Sequence, residues 1–453
     1  MAAHRMTQGS IPRHLAGYSI PLVLGNWFQL AYNAVDSIIA GRFIGKDALA
    51  AIGTASPVMN LLILGISGLC IGASVLMSEF YGAKKEDMLR RELATTLVFG
   101  LGFSVVLAAV GSLVAVPLLR ALQVPEELLG VAAAYLRVIF WGTPFTFCYN
   151  AVASGLKSVG DSATPLKFLA FSSILNALLD CIFIGLLGFG ILCSALTTVV
   201  AEAVSAGLCI LYIYRRIPLL ALSPRDMRPS RALLADTLRY GTVTALQQSC
   251  QPVGKLLIQG AINSLGVDAM AAFNAVGRVD DFAFTPEQSI ASGITTFIAQ
   301  NRGAGQRRRI RRGLAWGLGL ESGYWLLICG ATLALKKPVM ELFVSAAEPD
   351  IVALGCAYLT VMAFLYLLPA FTNGMQGFYR GMGRMGITLL GTFIQTSLRV
   401  VSVFILCPRI GLPGAAWACG VGWTVMLLFE IPYYFVRYHR SLGADADADT
   451  PVS

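Results

Sequence analysis

Charge and histidine are scarce in this sequence. Only 13% of its 453 residues are charged, against about a quarter in an average soluble domain. Its three histidines, His4, His14 and His439, lie close to the two ends, which excludes a histidine-ligated metal site in the core. The chain also lacks a GxxxxGK[ST] phosphate-binding loop and the protein-kinase motifs, so nothing in it supports direct use of ATP.

The ten cysteines show no CxxC spacing. All of them fall inside apolar runs or at their edges, where a thiol behaves as a small hydrophobic group. We therefore expect neither a disulfide framework nor a cysteine metal site.

Apolar residues make up 56% of the chain and occur in runs of about twenty or more, long enough to cross a bilayer. The sequence predicts an all-α polytopic membrane protein with twelve transmembrane helices. The predicted spans are 15–42, 54–79, 92–119, 129–156, 164–187, 190–214, 233–262, 270–300, 313–335, 350–379, 386–407 and 411–436.

The net charge of +9 is explained by its distribution. With a cytoplasmic N-terminus, 24 of the 34 Lys and Arg residues fall in the inside connections, six fall outside and four lie within spans. This bias follows the positive-inside rule. It predicts a multi-pass protein of the plasma (inner) membrane with both termini cytoplasmic, and it removes the reason to expect a nucleic-acid partner.

The two halves of the chain repeat each other. Ile44–Ala51 matches Leu265–Ala272 at an offset of 221 residues, and Gly160 and Gly188 match Gly383 and Gly411 at an offset of 223. We predict two six-helix bundles related by a pseudo-two-fold axis along the membrane normal. The expected divisions are an N-lobe at 1–216, a cytoplasmic linker at 217–232, a C-lobe at 233–440 and a disordered tail at 441–453.

A polar stripe interrupts the first span. Gln29, Tyr32, Asn33 and Asp36 recur at i, i+3, i+4 and i+7 and so share one helix face. A carboxylate facing lipid at this depth costs about 2.5–3.5 kcal/mol on insertion scales. The stripe should therefore face a protein interior or a water-filled cavity. It either holds helices together or binds a ligand, and the ionisable group favours binding.

A second acidic group follows in the fifth span, where Asn176 and Asp180 lie at i and i+4. Thr198, Tyr135 and Asn150 fall in the neighbouring sixth and fourth spans. Together with Asp36 they form an oxygen-rich set that suits Na⁺ or a shared proton equally well.

The second half does not repeat these acids. Asp36 aligns with Leu257, and Asn176 with Arg399. We expect Lys255 to pair with Asp280 or Asp281, and Glu287 and Arg399 to be available for substrate contact.

Two further sets of residues bear on transport. Pro21 precedes the polar stripe and can bend its helix, either as a hinge or as a static packing bend. A site for chemically varied drugs needs adaptable apolar contacts. The candidates for those contacts are Trp27, Phe28, Met59, Phe147, Phe282 and Met375.

Several stretches resemble the multidrug and toxic compound extrusion (MATE) transporters, in their prokaryotic DinF-like branch. They are YNAVDSIIAGRFIGKDALAAIGTASP, EFYGAKKE with its counterpart AQNRGAGQ, and GLKSVGDSATP followed by NALLDCIFI. The resemblance implies a cation site at Asp36, Asn176, Asp180 and Thr198. It also implies supporting roles for Tyr32, Tyr135 and Asn150 and a hinge at Pro21.

The expected function is therefore secondary active export of cationic amphipathic compounds in exchange for H⁺ or Na⁺. Membrane lipid surrounds the protein, no cofactor or ATPase subunit is implied, and a monomer is expected. A rival is a flippase for lipid-linked oligosaccharide or peptidoglycan precursors, which would need more basic residues inside the membrane. A non-transporting scaffold and an intramembrane enzyme fit less well, since the first needs no paired carboxylates and the second needs a nucleophile–base set.

Overall fold

The fold is known from a computed structural model. It describes residues 5–43, 46–344 and 348–443, and leaves the side chains at 33–43, 46–52, 54 and 443 undescribed. Helices account for the described secondary structure. They are α1 Ile11–Phe43, α2 Lys46–Gly82, α3 Glu86–Ala121, α4 Glu126–Ser158, α5 Ala163–Asp180, α6 Ile191–Arg216, α7 Arg231–Asn263, α8 Val267–Gly303, α9 Arg307–Phe343, α10 Pro349–Leu365, α11 Leu367–Gly381, α12 Met385–Ile410, α13 Pro413–Tyr434 and the short α14 Arg440–Gly443.

Eight of these helices are long and apolar enough within the described residues to cross a membrane. A ninth span forms if α10 and α11, bent by 46° around Tyr366, count as one. Pro369 in the first turn of α11 cannot donate to the carbonyl of Leu365, which accounts for the break. The equally long but more polar α1, α7 and α8 bring the count to the predicted twelve. Side chains such as Leu113 and Leu186, 79% and 81% exposed, fit a lipid-facing surface.

The backbone repeats as the sequence predicts. Helices α2 and α8 both have 37 residues and start 221 positions apart. Gly160 and Gly188 have φ of +91° and +68°, and Gly383 and Gly411, 223 positions later, have +72° and +68°. Positive φ favours glycine, since a side chain crowds the backbone there. The repeated glycines therefore end equivalent helices in each half.

The chain separates into two compact units. The first consists of Leu24–Ala245 with Arg5, and so contains the first half of α7. That half-helix packs on α2 at glycines: a Cβ at Gly72 would lie 2.5 Å from the backbone nitrogen of Gly241. It also meets the buried Glu92 of α3, whose Oε1 accepts the Thr237 hydroxyl over 2.5 Å.

The second unit consists of Met6–Val23 and Leu246 onwards, and so contains the first half of α1. Arg309 of α9 holds the start of this segment by donating to the carbonyls of Met6, Gln8 and Gly9. Further along, the hydroxyls of Thr296 and Tyr18 are 3.0 Å apart. The segment is thus fixed to α9 just before α1 begins and to α8 at Tyr18 within the half-helix.

The predicted linker is ordered and packs within the first unit. Ile217 and Leu220 are buried, 3% and 0% exposed. Asp226 accepts the Ser223 hydroxyl at 2.7 Å and its backbone N–H at 2.9 Å, and these hydrogen bonds hold the pKa of the Asp226 carboxyl below its ordinary value. The connection is therefore a folded turn.

Candidate functional site

Two buried polar residues of α5 form the centre of the candidate site in the first unit. Asn176 and Asp180 are each 1% exposed and lie one helical turn apart. The α-helix ends at Asp180 and continues as a π-helical turn, Cys181–Leu186. Such wide turns recur at functional sites because they redirect side chains locally.

The second half of α1 supplies a phenol to this centre. The Tyr32 hydroxyl donates to Asn176 Oδ1. A glycine permits the approach of the two helices, because a Cβ at Gly25 would lie 2.8 Å from the Leu166 side chain. The side-chain amide nitrogen of Asn176 is buried with no hydrogen-bond partner among the described residues. Asn33 and Asp36 are outside the described side chains.

The hydroxyl that reaches Asp180 comes from Thr197. Its Oγ1 donates to Asp180 Oδ1 over 2.5 Å. Thr198, the residue predicted from the sequence, instead donates to the Ser194 carbonyl over 2.9 Å. In this structure the contact to Asp180 thus comes from the residue before Thr198 on α6, and Thr198 stays a predicted member of the cation site.

A further carboxylate, Glu202, lies on α6 beyond these threonines. Thr146 of α4 donates its hydroxyl to Glu202 Oε2. Asn150, one turn further along α4, donates to the Thr146 carbonyl over 2.8 Å. The two helices approach at Gly142, where a Cβ would be 2.5 Å from Val199 Cγ2. Glu202 could not be singled out from the sequence, because this contact depends on helix packing.

The site in the first unit thus gathers oxygen atoms from four side chains. Asp180, Asn176, Tyr32 and Thr197 offer carboxylate, amide, phenol and hydroxyl oxygens, the ligand types of a hard cation. Burial of an unneutralised carboxylate is costly, so such a set favours binding of a proton or a cation. In the described part of the chain, no group of three His, Cys, Asp or Glu residues could hold a metal ion.

The second unit contains a different arrangement. Glu287 of α8 is fully buried, and the Asn373 amide lies 3.4 Å from its Oε2. Asp280 accepts the hydroxyls of Tyr358 at 3.0 Å and Tyr366 at 2.7 Å. Arg399 lies near enough to interact electrostatically with Asp280 and with the Cys419 thiol.

The family model MatE matches the chain twice, over residues 21–182 and 244–405. The chain belongs to the MatE family. The two matches fall one in each half, in keeping with the repeat. They confirm the resemblance to the MATE transporters that the sequence motifs predicted.

Two MatE relatives come from Bacillus subtilis (strain 168). The probable multidrug resistance protein YoeA is 29% identical over 81% of this chain and 80% of its own length. The probable multidrug resistance protein YpnP is 27% identical over 97% of this chain and 98% of its own length. A crystal structure of MATE in complex with MaL6 superimposes with a TM-score of 0.91 at 22% identity, covering 98% of this chain and 99% of that one. At this identity the structural likeness establishes the fold alone.

The MatE chain does not form the predicted ion pair of Lys255 with Asp280 or Asp281. Lys255 is exposed, and so is Asp281. Asp280 is instead engaged by the two tyrosines and faces Arg399. The prediction was wrong because similar depth in the membrane does not place two residues on facing sides of their helices.

The residues proposed for drug contact fall into two groups. Phe147 and Met375 are 1% and 3% exposed and belong to packed interiors, so neither presents a surface to a ligand here. The ring of Phe147 fills the space above Gly100, where a Cβ would be only 1.7 Å away. The candidates that keep exposed surface are Trp27, Phe28, Met59 and Phe282.

The remaining predicted residues lie on α1 and α4. Gln29 is exposed and Pro21 is partly buried. Pro21 lies three residues before the point in α1 where the first unit begins, at Leu24. Tyr135 is 5% exposed in a cluster of α4 side chains with neighbouring helices.

Proposed function

We propose that this MatE chain exports cationic amphipathic compounds by secondary active transport, coupled to inward movement of H⁺ or Na⁺. The observation that carries the proposal is the buried carboxylate of Asp180. It accepts the Thr197 hydroxyl and lies one helical turn from Asn176. The names of the multidrug relatives YoeA and YpnP support the substrate class. No cofactor takes part in this proposal.

The coupling site consists of Asp180 and Asn176 together with the sequence-predicted Asp36 and Thr198. A cation or proton neutralises the carboxylates, and a cationic drug benefits from their negative charge. The two ligands therefore favour opposite charge states of the same site. Such opposition gives exchange, because a ligand shifts a conformational equilibrium only by its differential affinity for the two states.

The supporting polar residues keep the carboxylates in place. Tyr32 bonds to Asn176, and Asn150 bonds to the backbone at Thr146. We assign Gln29, Asn33 and Tyr135 to the same network. Each of them adds hydrogen-bonding capacity without adding charge.

Conformational change is assigned to the first helix. Pro21 removes the hydrogen bond to the Gly17 carbonyl, since proline has no N–H. The missing bond lies next to the place where the helix passes from one compact unit to the other. Neutralisation of the carboxylates would bend the helix there and weaken drug binding.

The protein spans the membrane repeatedly, and we place it in the plasma membrane with both termini cytoplasmic. The lobe boundaries 1–216 and 233–440 follow from the sequence repeat and the connecting linker. The drug is expected to contact apolar side chains that keep exposed surface, such as Trp27 and Phe282. Arg399, which is partly exposed, and Glu287, which is buried in this structure, are the charged candidates in the second lobe. A monomer in lipid suffices for this function.

The test is efflux from proteoliposomes loaded with ethidium, a lipophilic cation. A pH gradient and a Na⁺ gradient are imposed separately on the purified protein. Ethidium movement driven by at least one gradient supports the proposal, and the effective gradient identifies the coupling ion. Movement of fluorescent lipid-linked pyrophosphates without ethidium transport would favour a flippase, and no movement of either would leave a scaffold.

A further inference from the structure

We propose that Glu202, with Thr146 and Asn150, forms a second proton-accepting station in the first unit, which must lose its proton when drug binds. The inference rests on the proposed export function and extends it, because it adds a carboxylate to the predicted coupling set. It makes the number of protons exchanged per drug depend on two separate groups.

The station is built from two helices that are held close together. Glu202 extends from α6 and Thr146 from α4, and the hydroxyl of Thr146 donates to Glu202 Oε2. The close contact of Gly142 with Val199, one turn earlier on each helix, sets this approach. Because a larger residue at 142 would separate the helices, the contact is a fixed feature of the packing.

The Thr146 hydroxyl has two acceptors within reach. One is Glu202 Oε2, and the other is the Gly142 carbonyl at 3.4 Å. A hydroxyl has one proton to donate. When Glu202 is ionised, the hydroxyl donates to the carboxylate. When Glu202 is protonated, the acid donates to Thr146 and the hydroxyl turns to Gly142. The change of protonation therefore redirects a bond within α4, one turn before Asn150.

The charged state of Glu202 has no basic partner acting on it among the described residues. Tyr149 of α4 is the titratable group that interacts electrostatically with Glu202. The other titratable groups of the neighbouring turns are Lys157 of α4, Cys209 of α6 and Asp180 of α5, which contacts α6 at Thr197. Tyr149 donates its hydroxyl to the Pro165 carbonyl over 3.2 Å. Lys157 is eleven residues from Thr146 along α4, which is roughly 16 Å in a helix. A proton is therefore the simplest neutralising partner for Glu202.

The station is placed next to the predicted cation site. Thr198 and Glu202 lie at i and i+4 on α6 and share a face, while Thr197 of the same helix binds Asp180. Helix α6 thus carries contacts to both carboxylates within two turns. A change in its position or rotation alters both sites at once.

The test measures ethidium affinity against pH with the purified full-length protein in detergent. The slope of log Kd with pH gives the number of protons released per ethidium bound, by linkage. Glu202→Gln fixes the neutral state of the station. We expect its slope to fall by up to about one proton relative to wild type. A carboxylate with a purely structural role would instead change Kd equally at every pH.

Three more variants control for misfolding and nonspecific effects. Thr146→Val removes the switching hydroxyl and should also reduce the slope, while Thr146→Ser should retain it. Glu127→Gln changes an exposed carboxylate at the start of α4 and should change neither slope nor affinity.

The outcomes separate this inference from the function on which it rests. If wild type shows a slope that Asp180→Asn lowers but Glu202→Gln and Thr146→Val leave unchanged, the station is refuted and the export proposal stands. If wild type binds no ethidium, or if its Kd for ethidium depends on neither pH nor Na⁺ concentration, the coupling proposal is refuted. The proposal of a second station is then refuted with it.

Discussion

Thr197 Oγ1 donates to Asp180 Oδ1 across 2.5 Å, while the adjacent Thr198 hydroxyl donates to the backbone of its own helix. Two neighbouring threonines thus have different partners. Only the first contacts the buried carboxylate. Asp180 is 1% exposed, so this hydroxyl stabilises its charged form directly.

We expect Thr197→Val to weaken the dependence of export on the coupling ion more than Thr198→Val does. A hydrogen bond to a charged group contributes about 1.5–3 kcal/mol, which is roughly ten- to hundredfold in affinity. The measurement is the half-saturating concentration of the coupling ion in ethidium efflux. Thr197→Ser keeps the hydroxyl and should behave as wild type. Equal losses for the valine variants at 197 and 198 would contradict the contact.

The difference between these threonines shows where sequence reasoning stops. Helical periodicity places Asn176 and Asp180 on one face, and the structure has both buried. The rotation of α6 against α5 depends on the π-helical turn after Asp180 and on the loop that follows it. A register difference of one residue rotates a helix position by about 100°. Periodicity within α6 alone could not choose between 197 and 198.

The contact between Glu92 and Thr237 predicts a stability effect. Glu92 is fully buried in α3, and its Oε1 accepts the Thr237 hydroxyl of α7. Thr237→Val should lower the free energy of unfolding by about 1.5–3 kcal/mol, since it removes a donor from a buried carboxyl. Thermal unfolding in detergent provides the measurement. Thr237→Ser is the matched control, and equal melting temperatures for the two variants would refute a stabilising role.

Chemical labelling should separate the two groups of candidate drug contacts. In a cysteine-free background, Phe282→Cys should react quickly with a small thiol reagent, because Phe282 is 45% exposed. Phe147→Cys should react slowly, because Phe147 is 1% exposed and packs against Gly100. Comparable rates at the two positions would show that the α4 interior opens in solution.

The charges of the second unit should differ in their importance for folding. Asp280 accepts hydrogen bonds from Tyr358 and Tyr366 and faces Arg399. Asp280→Asn removes the negative charge that accepts these two hydroxyls, and a hydrogen bond to a charged group contributes about 1.5–3 kcal/mol to stability. Lys255 is exposed, so Lys255→Ala should be recovered at wild-type yield. Yield and melting temperature of the two variants provide the comparison, and a greater loss for Lys255→Ala would contradict it.

The twelve helical segments and the repeat could be predicted because they depend on local properties. Apolar run length sets the spans, and glycine at positive φ sets equivalent helix ends. The partners of Asp280 and Glu202 could not be predicted in the same way. Glu202 meets Thr146 only because Gly142 lets α4 approach Val199 of α6. Such contacts depend on how two helices pack against each other. The sequence of one helix alone does not determine that packing.

The most direct test of the account concerns Asp180 and its predicted partner Asp36. Asp180→Asn and Asp36→Asn keep side-chain shape and fix a neutral state. We predict that both variants insert and purify as wild type but lose ethidium efflux driven by either a pH or a Na⁺ gradient, whereas Glu127→Gln retains it. Gradient-driven efflux at wild-type rate in both aspartate variants, at normal expression, would contradict coupling in the first unit and direct attention to Glu287.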